Sequence, residues 1–129
     1  MAHICLIDDD QGIRDTLTRI LRRLGHEVKP AGNGREGLDL VAKNKFQIVI
    51  TDIIMPEVEG IEVVRSIRQS DPDMQVIAMS GGGRVGNTDF LKMARSLGAN
   101  ELVYKPVTKT QFMEALNKCL ERIGEPISA

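Results

Sequence analysis

The sequence predicts a doubly wound α/β domain, (βα)5, with five parallel strands and helices on both faces of the sheet. Three observations predict it. Short apolar runs such as Ile4-Cys5-Leu6-Ile7 and Ile48-Val49-Ile50 read as strands buried on both faces. Stretches of helical period, roughly ten to fifteen residues each, separate those runs. No linker, internal repeat or low-complexity tract interrupts the alternation.

The elements follow in order along the chain. After the first run, Ile13, Leu17, Ile20, Leu21 and Leu24 recur at helical spacing from Gly12 to Leu24, and Gly25 is a stop signal. Glu27 to Ala31 is a weakly apolar strand suited to a sheet edge. Gly32-Asn33-Gly34 then turns into a helix through Leu38, Val41 and Ala42. Phe46 to Thr51 is the most continuous β-branched run and predicts a central strand. Met55-Pro56 breaks the chain before a helix carrying Ile61, Val64 and Ile67. Asp71-Pro72 leads into a strand at Gln75 to Met79, and a glycine-rich loop leads to a helix with Phe90, Met93, Ala94 and Leu97, closed by Gly98. Glu101 to Tyr104 is the last strand, and Phe112, Ala115, Leu116, Cys119, Leu120 and Ile123 line a final helix.

A chain of 129 residues is one domain, here with a core over about 3–123 and a short C-terminal tail. Its 17 basic and 18 acidic residues leave a net charge of -1, which supplies no field for holding a polyanion, so direct nucleic-acid binding is not expected. Apolar runs are far too short to span a bilayer and no signal-peptide pattern precedes the first strand, which points to the cytoplasm. Cys5 and Cys119 occupy apolar positions, as buried reduced thiols do. His3 and His26 have no second ligand-type residue at metal spacing and read as surface histidines.

Four strand runs end in polar residues of different chemistry: Asp8-Asp9-Asp10, Asp52, Ser80 and Lys105. In an open parallel sheet these ends share one edge, where ligands bind. Asp8 and Asp9 repel each other unless a cation lies between them and Asp52. Three carboxylates with few imidazole or thiolate alternatives favour Mg2+ or Mn2+. Asp10 suits the cap of the first helix, but three aspartates exceed what capping needs. Asp52 alone is a common turn residue; Lys105 before Pro106 adds an ammonium that can neutralise Asp52 or a phosphoryl group on it. Ser80 adds a hydroxyl donor.

Taken together these motifs resemble the receiver domains of two-component response regulators, of the single-domain type, over nearly the whole chain. The resemblance implies a flavodoxin-like sheet in the order 2-1-3-4-5. It implies Asp52 as the phosphorylated aspartate, Asp9 as a direct metal ligand, Asp8 as an acid acting largely through water, and the Ile54 carbonyl as a further ligand to Mg2+. Ser80 becomes the switch hydroxyl, Lys105 the phosphate-binding lysine, and Pro106 a residue after a cis peptide. Arg14, five residues after Asp9, selects Asp8 and Asp9 as the metal pair over Asp9 and Asp10. Met55-Pro56 and Glu59-Gly60 match the stretch after the phosphoacceptor. The implied activity is that of a switch, not an enzyme with an external substrate. A sensor histidine kinase or a histidine phosphotransfer protein would supply the phosphoryl group, and a downstream protein would read the fourth helix, last strand and last helix, a face also suited to dimer formation.

Departures from the family pattern carry their own expectations. Leu102 stands where the family usually has an aromatic ring, so a simple rotating-ring switch is not expected; Tyr104, on the same side of the strand, is the candidate relay. Ile54 and Gly82 lack the polar side chains that guide a hydrolytic water, which predicts slow self-dephosphorylation. Arg14, Thr18, Arg19, Arg22 and Arg23 form a basic stripe, either a solvated face or a docking surface for a phosphodonor. The G-x-G-x-x-G pattern over 81–86 follows the fourth strand with no acid at the end of the next, so it reads as a loop and not as a dinucleotide site. A haloacid-dehalogenase-type phosphatase has an acid two residues after its aspartate; here that residue is Ile54.

Overall fold

A computed structural model describes residues 1–53, 60–81 and 87–127, without the side chains of 81 and 87–91. The chain order is β1 (His3–Ile7), α1 (Gln11–Arg23), β2 (Glu27–Ala31), α2 (Gly34–Lys43), β3 (Ile48–Asp52), α3 (Gly60–Ser70), β4 (Gln75–Gly81), α4 (Asn87–Leu97), β5 (Glu101–Lys105) and α5 (Lys109–Arg122). All five strands are parallel and lie in the order β2-β1-β3-β4-β5. The (βα)5 doubly wound architecture is thus the one predicted, with β2 at an edge and β3 buried throughout.

Strand alternation explains the two cores. Ile4, Leu6, Ile48, Ile50, Ile77 and Met79 face α1 and α5, meeting Leu17, Leu21, Phe112 and Leu116. Cys5, Ile7, Val49, Val76 and Ala78 face α2, α3 and α4, meeting Val64, Ile67 and Ala94. Each fully buried aliphatic side chain contributes on the order of 1.5–3 kcal/mol. Gly25 (φ +94°) and Gly98 (φ +120°) end α1 and α4 in the left-handed region, as their stop signals predict. Arg68 fastens the same end of α4, donating to the carbonyl oxygens of Pro72 (2.6 Å) and Gly98 (2.7 Å) and to Asn100 Oδ1 (2.9 Å).

Several expectations need adjustment. Asp52, Ser80 and Lys105 lie within their strands, because ladder pairing continues to Asp52 beside Met79, Ser80 beside Tyr104 and Lys105 beside Gly81. Met93 is exposed, while Ala94 is the buried residue among the described side chains of α4. Cys5 and Cys119, by contrast, are buried and free as expected, and burial pushes both thiols up to about 12.

His26 is buried, contrary to the surface position expected for it. The Ala2 N–H donates to its Nδ1 at 3.1 Å, so the neutral ring carries its proton on Nε2. Burial, reinforced by the N-terminal ammonium and opposed by Glu125, lowers the His26 pKa below 6.5. The unfolded chain then takes up this proton more readily than the folded one. Stability from this group is complete above pH 6.5 and declines as pH falls below it. Urea titrations at about pH 7.5 and about pH 5.5 are expected to show a larger loss of midpoint in the wild type than in His26→Gln, which still offers an acceptor but cannot titrate.

Candidate phosphoryl and metal site

The site forms where β1, β3, β4 and β5 end together. Asp8 follows β1 and is completely buried. Its N–H donates to the Ala31 carbonyl of β2 at 3.1 Å, and its Oδ1 accepts from the Asp10 N–H at 2.9 Å. Asp10 itself caps α1, accepting from the Ile13 N–H at 3.1 Å. The three aspartates therefore divide their work: Asp8 is fixed inside, Asp9 is exposed, and Asp10 starts the helix.

Asp52, at the end of β3, is buried. Lys105 Nζ reaches it from β5, 3.0 Å from Asp52 Oδ2 and 2.9 Å from Asp8 Oδ2. Burial alone would lower the Lys105 pKa; the two hydrogen bonds and the negative charge of Asp8 and Asp52 outweigh it and hold the ammonium above 10.5. The Lys105–Pro106 peptide bond is cis. Ser80, fully buried on β4, has a hydroxyl with no hydrogen-bond partner among the described residues. Such an orphan is rare, and a ligand oxygen would satisfy it.

Asp8, Asp9 and Asp52 each offer one carboxylate oxygen, and the three lie within 4.8 Å of one another. An all-oxygen set of this kind fits a hard divalent cation. Lys105 already neutralises part of the charge, so the cluster is stable enough to form and still acidic enough to attract a cation.

The remaining predicted residues fall as follows. Ile54, with Met55, Pro56 and Glu59, lies outside the described residues, as does 82–86; Gly81 ends β4. Leu102 is partly buried against the α2-α3-α4 core, beside Ala78 in register. Tyr104 is 45% exposed and pairs in register with Ser80. The basic stripe is not uniform. Thr18 is buried, half-buried Arg14 donates to the Asp8 carbonyl and exposed Arg22 donates to the Val28 carbonyl, while Arg19 and Arg23 are exposed and make no such backbone contact among the described residues.

Two contacts of the Asp52 carbonyl escape the sequence reading. Thr51 Oγ1 donates to the Asp52 carbonyl at 2.9 Å, and Gly60 brings α3 so close that a Cβ there would lie 2.0 Å from that same carbonyl oxygen. The Glu59-Gly60 match singles out this glycine in the sequence, but it does not identify its neighbour.

An α/β sheet with a carboxylate trio and a lysine at its carboxyl edge has the makings of a site for a divalent cation and a phosphoryl group. A family model of the response regulator receiver domain matches residues 4–117, and the chain belongs to that family. It is 34% identical over 97% of its length to the DNA-binding transcriptional regulator NtrC of Azospirillum brasilense, spanning 25% of that protein. It spans 51% of the response regulator MprA of Mycolicibacterium vanbaalenii. Sporulation initiation phosphotransferase F of Bacillus subtilis is 30% identical, with 91% of this chain and 92% of that one aligned. Among solved structures, a receiver domain protein from Clostridium thermocellum shares 33% identity, covers 96% of this chain and 98% of its own, and superposes with a TM-score of 0.87. A CheY-like receiver domain protein from Methanospirillum hungatei matches at 29% identity over 98% and 99% of the two chains, with a TM-score of 0.85. Receiver domains of this family are phosphorylatable signalling switches that accept phosphate from histidine kinases and act on downstream targets. No described helix is long and apolar enough to cross a membrane.

Proposed function

We propose that Asp52 accepts a phosphoryl group from a phosphohistidine of a sensor kinase or phosphotransfer protein, with residues 3–123 acting as one cytoplasmic receiver unit. A carboxylate oxygen of Asp52 attacks phosphorus as the P–N bond to the donor imidazole breaks, and the bonding electrons leave with that ring. Asp8, Asp9 and Asp52, joined by the Ile54 carbonyl that the family pattern implies, would hold Mg2+ or, in its place, Mn2+. That ion would neutralise charge on the transferring group. Lys105, poised between Asp8 and Asp52, then follows the new phosphoryl oxygens, and the Ser80 hydroxyl gains the acceptor it lacks.

Ser80 and Tyr104 are register partners on adjacent strands, so a shift at Ser80 reaches the exposed ring directly. Leu102 beside Ala78 fills the position of the usual aromatic switch with a fixed aliphatic side chain. The readout face is α4-β5-α5, which a downstream protein or a second copy would cover. Slow loss of the phosphoryl group follows from the apolar Ile54 side chain.

The observation that carries this reading is Lys105 Nζ bridging two buried carboxylates at the strand ends, over an acid trio. Acetyl phosphate with Mg2+ is expected to add one phosphoryl group to the wild type, as read by intact mass, and none to Asp52→Asn or in excess chelator. Modification that persists in Asp52→Asn refutes the assignment.

A further inference from the structure

We propose that Arg14 is a positioning residue for the cation site, setting Asp9 through the backbone carbonyl of Asp8; this rests on the metal reading above. Asp9 is the exposed member of the trio, and its carboxylate makes no hydrogen bond or ion pair among the described residues. Its oxygen nonetheless lies within 4.8 Å of oxygens of Asp8 and Asp52, two like charges that push it away. With no side-chain tether, its place is dictated by the backbone that presents it.

That backbone is the Asp8–Asp9 peptide, and Arg14 Nη1 donates to its carbonyl oxygen at 2.7 Å. The other tethers of Asp8 act elsewhere: its N–H on Ala31, its Oδ1 on Asp10 and its Oδ2 on Lys105. Arg14 is therefore the side chain that fixes the peptide plane from which Asp9 departs. The guanidinium lies against Gly32, where an added Cβ would stand 3.4 Å from Nη1, so the β2–α2 connection offers it a berth. Among the described residues it forms no ion pair. Its charge thus acts on the acid trio while the Asp9 carboxylate is left open for a cation. A lysine or arginine paired directly with Asp9 would lower the repulsion equally well but would occupy the ligand.

Mn2+ binding followed by electron paramagnetic resonance tests this without phosphorylation. Arg14→Met keeps the aliphatic stem and removes the donor; its Kd for Mn2+ is expected to rise about tenfold, as loss of a group that orients a metal ligand does. Arg19→Met removes the same charge from an exposed position on α1 and is expected to stay within about twofold of wild type. Circular dichroism confirms that each variant is folded at the assay temperature. An Arg14→Met Kd within twofold of wild type overturns the proposal, and so does an equal loss in Arg19→Met, which would place the effect in α1 as a whole and not in the Arg14 donor, since losing a positive charge by itself favours cation binding. Wild-type protein that binds no Mn2+, or Asp9→Asn that binds as tightly as wild type, refutes the metal reading itself and is told apart by those two controls.

Discussion

Gly60→Ala is expected to destabilise the protein by about 3 kcal/mol, the upper end of overpacking costs, and to abolish acceptance of a phosphoryl group from acetyl phosphate. The Cβ would stand 2.0 Å from the Asp52 carbonyl oxygen and 2.4 Å from Ile53 Cα, so the obstacles are main-chain atoms. They have nowhere to move. Thr51 Oγ1 donates to that carbonyl, the Ile53 N–H donates to Met79 on β4 at 2.8 Å, and the Gly60 N–H donates to the Ile53 carbonyl at 2.8 Å. Relief requires α3 to lift, which frees the Asp52 main chain from the helix that abuts it, or Asp52 to shift, which separates it from Lys105. Gly37→Ala provides the contrast. Its Cβ would meet Ile7 Cδ1 at 2.3 Å and Cγ1 at 2.6 Å, atoms of a buried side chain and not of the main chain that carries Asp52, so the strain falls on core packing and phosphorylation should survive with a smaller loss of urea midpoint. Equal losses in both variants, or full phosphorylation of Gly60→Ala, would show that the α3 approach does not hold Asp52.

The parallel sheet is legible because β-branched runs and helical spacing are local signals that each segment carries by itself. Asp8, Asp52, Ser80 and Lys105 are legible for a related reason: a polar residue ending an apolar run stands out against it, and the crossover rule brings strand ends to one edge. The convergence of Asp8, Asp52 and Lys105 in space agrees with that expectation. What escapes is lateral. Register between strands, which sets Tyr104 beside Ser80, depends on how α4 packs and on no residue of β5 alone. The Arg14 bond to the Asp8 carbonyl and the approach of Gly60 to Asp52 are contacts with main-chain atoms, to which side-chain patterns are blind. His26 is misjudged for the same reason, since its partner is the Ala2 N–H and a single polar residue between Gly25 and Glu27 has no period.

Lys105→Met is expected to cost the cation-free protein about 3 kcal/mol, the range for stripping one partner from a buried ion pair. Asp8 is 0% exposed and Asp52 5%, and Lys105 stands between their Oδ2 atoms, so its loss leaves two carboxylates facing each other in a poorly solvated site. The sign with pH is opposite to that of His26. The raised pKa of Lys105 means its contribution is complete below 10.5 and is lost only as pH rises through the higher folded value, so the full cost appears at neutral pH. A divalent cation reverses part of it. Because the variant presents more uncompensated negative charge, it should bind Mg2+ more tightly than wild type, and ligand linkage then gives it the larger rise in Tm at the same Mg2+ concentration. Acceptance from acetyl phosphate should nonetheless fall, since an ion held by the carboxylates cannot follow the phosphoryl oxygens as the Lys105 ammonium does. Equal Mg2+ shifts in the two proteins would mean that Lys105 does not neutralise the acid trio. Unchanged phosphorylation would mean that its place between Asp8 and Asp52 serves stability alone.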